Sequence, residues 1–400
     1  MRNIVLILLL LIVEPIWAGT FGSDWADSTG PDGSLTIYDL IRGGTYAAPN
    51  TGTLDSGWAY IWNTTGDALY RMLIYDYDGN LVAASDTETI TAIDGGHWFQ
   101  FSDVDTLWCG REYIIGIWAD SLTSDLCRVY TENQANSRAA RWDKSQAWSM
   151  TPPDPLTSPT VSENVEPLVR VAYTELTDYG CVQFKGTAHL DDQYIYSGLP
   201  TTVYTNDSQA VSNFFSQYHR FWVRVNNDID SAIGADQSIT STVSKFWVNV
   251  VSGSRTIEGR PLVTNTPVED QSSWNVYSTG NNWGTAGGDY ADTIIAQGDV
   301  STVNRWLDFV FNDSGLGYWQ DVYGGSRTHR GVLFSTTGGG TVEYYYGSGI
   351  STAADSARKA EVYIGYAPAS EPSGIVDVIH SPDGSGVLHS PAGSSRLHGP

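Results

Sequence analysis

The sequence predicts an all-β fold: two tandem β-sandwich domains of jelly-roll type, followed by a disordered C-terminal tail. Three observations lead there. Apolar and aromatic residues recur in short runs bounded by Gly, Asp, Asn and Ser, the signature of strands joined by turns. No window of the first half sustains a helical period. The 400 residues include 41 glycines, 12% aromatics and only 16% charged residues, a balance suited to β-rich extracellular proteins and long enough for two cores.

Residues 1–18 read as an export signal, with an uncleaved anchor as the alternative because Glu14 and Pro15 make an unusual cleavage region. Arg2 supplies the positive charge, residues 4–13 form an apolar run, and Ile16-Trp17-Ala18 ends in a small residue before Gly19. A spanning helix needs roughly 20 apolar residues, so this run is too short and the mature chain is expected to have no membrane span. It is expected to be secreted or held at a cell surface. The first domain is placed at 19–176, with strands at 58–62, 70–75, 81–84, 97–101, 113–118 and 168–173. Asp76-Tyr77-Asp78-Gly79-Asn80 is a hairpin turn whose glycine supplies a positive φ. Thr177-Asp178-Tyr179-Gly180 marks the boundary.

The second domain, 182–368, repeats the pattern at 220–225, 245–250, 306–311, 331–334 and 341–346. Strand alternation puts Phe221, Val223 and Val225 on one face and Arg220, Trp222 and Arg224 on the other. Only residues 301–304 suggest a helical turn. Residues 369–400 repeat a His-Ser-Pro motif that sets His380, His389 and His398 in register. Such a tract buries no core and is expected to be a flexible spacer or partner-binding tail, with metal capture by the histidines as the alternative.

The chain holds 45 acidic against 21 basic residues, a net charge of −24, which repels phosphate backbones and argues against nucleic acid as a partner. Three cysteines occur. In an oxidising compartment Cys109 and Cys127 are expected to bridge neighbouring strands, a contribution of ~3 kcal/mol by chain entropy; the alternative is that all three cysteines are small buried hydrophobes. Cys181 is then left over, either buried or able to pair between chains.

The most informative stretch is 273–292, where Trp274 and Trp283 flank a Gly- and Asn-rich loop. With Tyr290, Tyr318 and Trp319 they are candidate plates for stacking on a sugar ring; the alternative is that they pack into the fold, each burying roughly 150–250 Å². Arg327, His329 and Arg330 form a basic cluster suited to carboxylates or sulfates, with ordinary surface ion pairs as the alternative. Asp76 with Asp78, and Asp289 with Asp292, offer oxygens for a structural calcium ion. Neither pair completes an EF-hand loop, and ordinary turns account for both. No other cofactor is expected. No Ser or Cys motif resembles an activated nucleophile, and no carboxylate pair is singled out for sugar hydrolysis, so a non-catalytic role is expected over a polysaccharide-processing enzyme.

Four segments carry a resemblance: His189-Leu-Asp-Asp-Gln-Tyr-Ile195, His219-Arg-Phe-Trp-Val-Arg-Val225, Ser273-Trp-Asn with Trp283-Gly-Thr-Ala-Gly-Gly-Asp289, and Ala360-Glu-Val-Tyr-Ile-Gly-Tyr366. Together, residues 186–366 resemble DNRLRE-type secreted β-sandwich domains, relatives of carbohydrate-binding modules for acidic polysaccharides such as alginate. Ser301 departs from the pattern, standing where the family has threonine. Residues 50–173 are similar, more loosely, to jelly-roll accessory modules of extracellular proteins. The resemblance implies non-catalytic carbohydrate binding or adhesion, with a polysaccharide or cell-surface glycan as partner. The competing expectation is a self-associating structural subunit of a surface layer, filament or virion appendage.

Overall fold

The computed structural model describes residues 19–23, 33–37, 40–76, 78–102, 105–120, 127–132, 141–145, 151–156, 160–162, 166–205, 207–214, 216–226, 229–251, 253–300, 303, 305–336, 340–350 and 358–369. The expected export signal and nearly all of the His-Ser-Pro tail lie outside them, as does most of 301–304. The chain is all-β: apart from the helices Ile229–Ile233 and Asp313–Tyr323, its named elements are strands. No helix among the described residues is long and apolar enough to cross a membrane.

Among the described residues, thirteen strands between Gly19 and Glu175 form one sheet. Its spine is the 25-residue strand Gly52–Asp76. The first part of that strand pairs with Val169–Glu175, and its last part pairs with Glu112–Ala119 and Leu81–Ala84. Glu88–Gln100 runs beside both parts, with a register shift between Asn63 and Asp67. Leu54, Ala59 and Ile61 from one end share a core with Tyr70, Met72 and Ile74 from the other, so the sheet wraps around its own apolar face. Alternation sends Trp58, Tyr60 and Trp62 outward. The turn at Asp76 forms as expected: Gly79 takes φ +87° and the Asp76 and Asn80 backbones bond across it.

Among the described residues, the second sheet has eleven strands between Gly180 and Pro368. Eight of them close on themselves: Gln237–Val250, Arg305–Phe311, Ala296–Val300, Arg255–Pro261, Val332–Ser335, Gln217–Val225, Ser208–Phe214 and Gly340–Tyr346, which pairs back to the first. Closure leaves no free edge within the ring, whose interior is filled by inward-facing apolar side chains. Here those residues include Phe221, Phe246, Phe309 and Phe334, whose rings meet at 4.6–5.0 Å in neighbouring pairs. The sequence predicts a jelly-roll-like β-sandwich for this half; the all-β class holds, and the eight strands close as a barrel.

The two halves share a third core, in which Ile114 and Trp118 of the first pack with Trp247 and Trp306 of the barrel's outer face. Beside it Lys245 Nζ is fully buried, 2.8 Å from Glu112 and 2.7 Å from Asp308, and donates to the Gly110 carbonyl at 3.1 Å. The disulfide is Cys109–Cys181, not the expected Cys109–Cys127. Cys127 begins a strand that pairs with the spine and with Gly33–Thr36, whereas the strand following Cys109 pairs with Leu40–Ala47 and the spine's other end. The two cysteines were therefore never on neighbouring strands. Cys127 is a buried thiol whose pKa burial pushes up.

Candidate functional site

The site is built on the outward face of Gln217–Val225. Trp222 there is completely buried, because the segment that follows Pro261 folds back as a roof. Ile195, Leu262, Trp283 and Leu333 close over its indole, and its Nε1 donates to Ser272 Oγ at 3.0 Å. One carboxylate holds the roof in shape. Asp289 accepts from the Gly284 and Thr285 amides at 2.8 and 2.5 Å and from Asn265 Nδ2 at 2.8 Å. Gly287 lies at φ +88°, where a Cβ would stand 2.7 Å from the Trp274 ring and 2.9 Å from Arg220, so glycine is required for the roof to close on the arginine.

Along the roof's margin runs a groove of about 390 Å³, with Tyr218, His219, Arg220, Arg260, Tyr290 and Asp292 among its walls. Arg220 is its centre. The guanidinium lies 5.0 Å from the Trp274 ring and 5.2 Å from the Tyr290 ring, and Nη1 donates to the Gly287 carbonyl at 2.8 Å. Tyr218 stacks on Trp274 at 6.1 Å. No carboxylate among the described residues pairs with Arg220, and burial pulls its pKa below the ordinary arginine value. Arg260, by contrast, is neutralised by Glu258 at 2.7 Å. His219 stacks on Tyr196 at 3.9 Å and bonds Ser212 Oγ through Nδ1 at 2.7 Å. Burial lowers its pKa to about 4, so it is neutral at pH 7. The groove thus holds a rigid guanidinium that no described carboxylate pairs with, beside the Tyr218 and Tyr290 rings and several hydroxyl groups, with the exposed Asp292 on the same wall.

Trp274 and Tyr290 both flank Arg220, and of the two only Tyr290 lines the groove. Trp283, Tyr318 and Trp319 do neither: they are 5%, 3% and 2% exposed. Trp283 is part of the roof's underside and donates to the Ser273 carbonyl at 2.9 Å. Tyr318 and Trp319 sit on Asp313–Tyr323, a helix whose inward residues pack into the barrel core. The basic cluster is dispersed. His329 Nε2 accepts from the Val225 amide at 3.0 Å while Nδ1 bonds the Tyr318 hydroxyl at 2.7 Å; burial, with Arg224 nearby, lowers its pKa to about 3. It is a structural histidine. Arg327 lies over Tyr318 and 3.6 Å from Asp321, and Arg330 donates to the Val263 carbonyl at 3.0 Å.

Asp76 and Asp289 serve the backbone. Asp76 accepts the Asn80 amide and side chain, both at 2.8 Å; Asp289 staples the roof; Asp78 and Asp292 are exposed. Among the described residues no three His, Cys, Asp or Glu side chains gather to hold a metal ion. Sequence reasoning missed Tyr218, Arg220 and Arg260 as a site. Alternation had placed Arg220 on the outward face, yet nothing local showed that the 262–290 segment would fold against it.

No family model matches the chain, and no curated protein matches it. Among solved structures it is similar to an oxalate decarboxylase from Bacillus subtilis, at 9% identity over 87% of this chain and 75% of that one, with a TM-score of 0.10. A likeness that faint carries no argument.

Proposed function

We propose that the protein is a secreted, non-catalytic carbohydrate-binding or adhesion protein whose barrel takes an acidic sugar residue at Arg220. The observation that carries this reading is the unpaired guanidinium. In a chain with 45 acidic residues, the described structure leaves Arg220 without one and fixes it between two rings. A ligand carboxylate or sulfate would complete the pair through charge-assisted hydrogen bonds, and the aromatic walls suit the apolar face of a pyranose. The motif resemblance of residues 186–366 to DNRLRE-type domains points the same way. For the first half we read the wrapped sheet as a jelly-roll-like sandwich. The alternative, a structural subunit, loses one support because Cys181 is bonded within the chain.

Calorimetry of the purified protein with sodium alginate and with a neutral glucan tests this. Arg220→Ala is expected to weaken alginate binding about tenfold or more, the loss of at least one charge-assisted contact. Unchanged affinity in that variant rejects the groove.

A further inference from the structure

The outward face of the first sheet holds a second set of arginines against rings. Strand register lays the face out in rows. Arg170, Trp58 and Trp98 are direct cross-strand neighbours, and so are Arg128, Trp62 and Asp94. Tyr60 lies between the rows and meets the Tyr130 ring edge-on at 4.8 Å. The Arg170 guanidinium is 4.5 Å from the Trp58 ring and 5.6 Å from the Trp98 ring; that of Arg128 is 5.0 Å from Trp62. Trp98 is 39% exposed, so the face opens to solvent there.

Neither arginine has an acidic partner among the described residues. Arg128 reaches Ser34 Oγ at 3.3 Å, and both Nε atoms are buried without a hydrogen-bond partner. The nearby carboxylate of Asp94 takes the Tyr130 hydroxyl instead, at 2.9 Å. A ring face holds a guanidinium in place without cancelling its charge. From Trp58 to Trp62 the strand advances on the order of 13 Å, so the face presents two fixed cations at about that spacing along one direction. Two such positions in line match a polymer bearing repeated anionic groups better than a single small anion.

We propose that this face is a second contact surface for an acidic polysaccharide, separate from the groove at Arg220. The proposal rests on the polysaccharide-binding reading above and extends it to the first half of the molecule. Rigid arginines spare the polymer part of the ordering cost of binding, and two surfaces on one body raise the apparent affinity for a long chain over either alone.

The test is calorimetry of the full mature chain with sodium alginate and with dextran at low and high salt. The double variant Arg128→Ala/Arg170→Ala, with Arg220 intact, is expected to lose about tenfold or more in alginate affinity and most of the salt dependence this face contributes. Dextran behaviour should not change. Alginate affinity within about twofold of the parent overturns the proposal while leaving the groove standing. If instead Arg220→Ala is silent and the double variant abolishes binding, the groove reading fails and this one holds. A parent protein that binds no alginate and sediments as a self-associated species defeats both. Should circular dichroism show the double variant unfolded, Trp98→Ala, at an exposed position, and Arg170→Gln carry the same comparison.

Discussion

At the scale of the residue, the two described histidines with lowered pKa values make the fold sensitive to acid. His329 uses one ring nitrogen to accept the Val225 amide, a bond that a protonated ring cannot accept. An unfolded histidine takes up its proton near pH 6.5, whereas the folded chain holds His219 and His329 neutral until about 4 and about 3. Each therefore removes stability as the pH falls from about 6.5 toward 4, by up to about 1.4 kcal/mol per pH unit. Urea midpoints at pH 7 and pH 5 check this. His329→Gln is expected to be less stable than the parent at pH 7 and to lose less between the two values. Trp274 and Tyr290 were legible in the sequence as aromatic candidates, and Arg220 only as an outward-facing strand residue. Their grouping was not. It depends on a roof that crosses back over the barrel, and equal prominence in sequence was given to Trp283 and Trp319, which are interior. An indole beside glycines looks the same whether it faces solvent or a neighbouring strand.

At the scale of the element, strands were legible and the longer helix was not. The runs 220–225, 245–250 and 306–311 all fall within strands, because alternating β-branched and aromatic residues fit a pleated, half-buried surface. Asp313–Tyr323 was missed because Gly315 and Gly317 dilute its propensity and its aromatics invited a different use. Gly315 is required there: a Cβ would come within 2.3 Å of the Ile295 carbonyl oxygen. Asn312 opens the helix by accepting the Gly315 amide at 3.0 Å, and its Nδ2 donates to the Ile294 carbonyl at 3.0 Å. Asn312→Ala is expected to cost about 1–2 kcal/mol, read from chemical denaturation. Asp289→Ala strips three donors of their acceptor and loosens the roof. It should lower the protection of the Gly284 and Thr285 amides from hydrogen exchange and weaken alginate binding without touching Arg220 itself.

At the scale of the whole molecule, the decisive contact is the one between halves, which no local pattern announced. Lys245 and Asp308 are cross-strand neighbours on the barrel, and Glu112 reaches them from the other sheet. Lys245→Met leaves two buried carboxylates facing each other and is expected to cost about 3–5 kcal/mol. The parent should unfold in one cooperative transition under oxidising conditions, followed by calorimetry, and Lys245→Met together with Cys109→Ser should separate it into two. The bridge between Cys109 and Cys181 encloses a stretch of sequence separation 72. That stretch includes Glu112–Ala119 and Val169–Glu175, both of which pair with the spine. If the protein were anchored at one end and tugged at the other, tension would pass through the sulfur link and skip this enclosed stretch. Those strands would stay slack while the remainder of the chain was stretched.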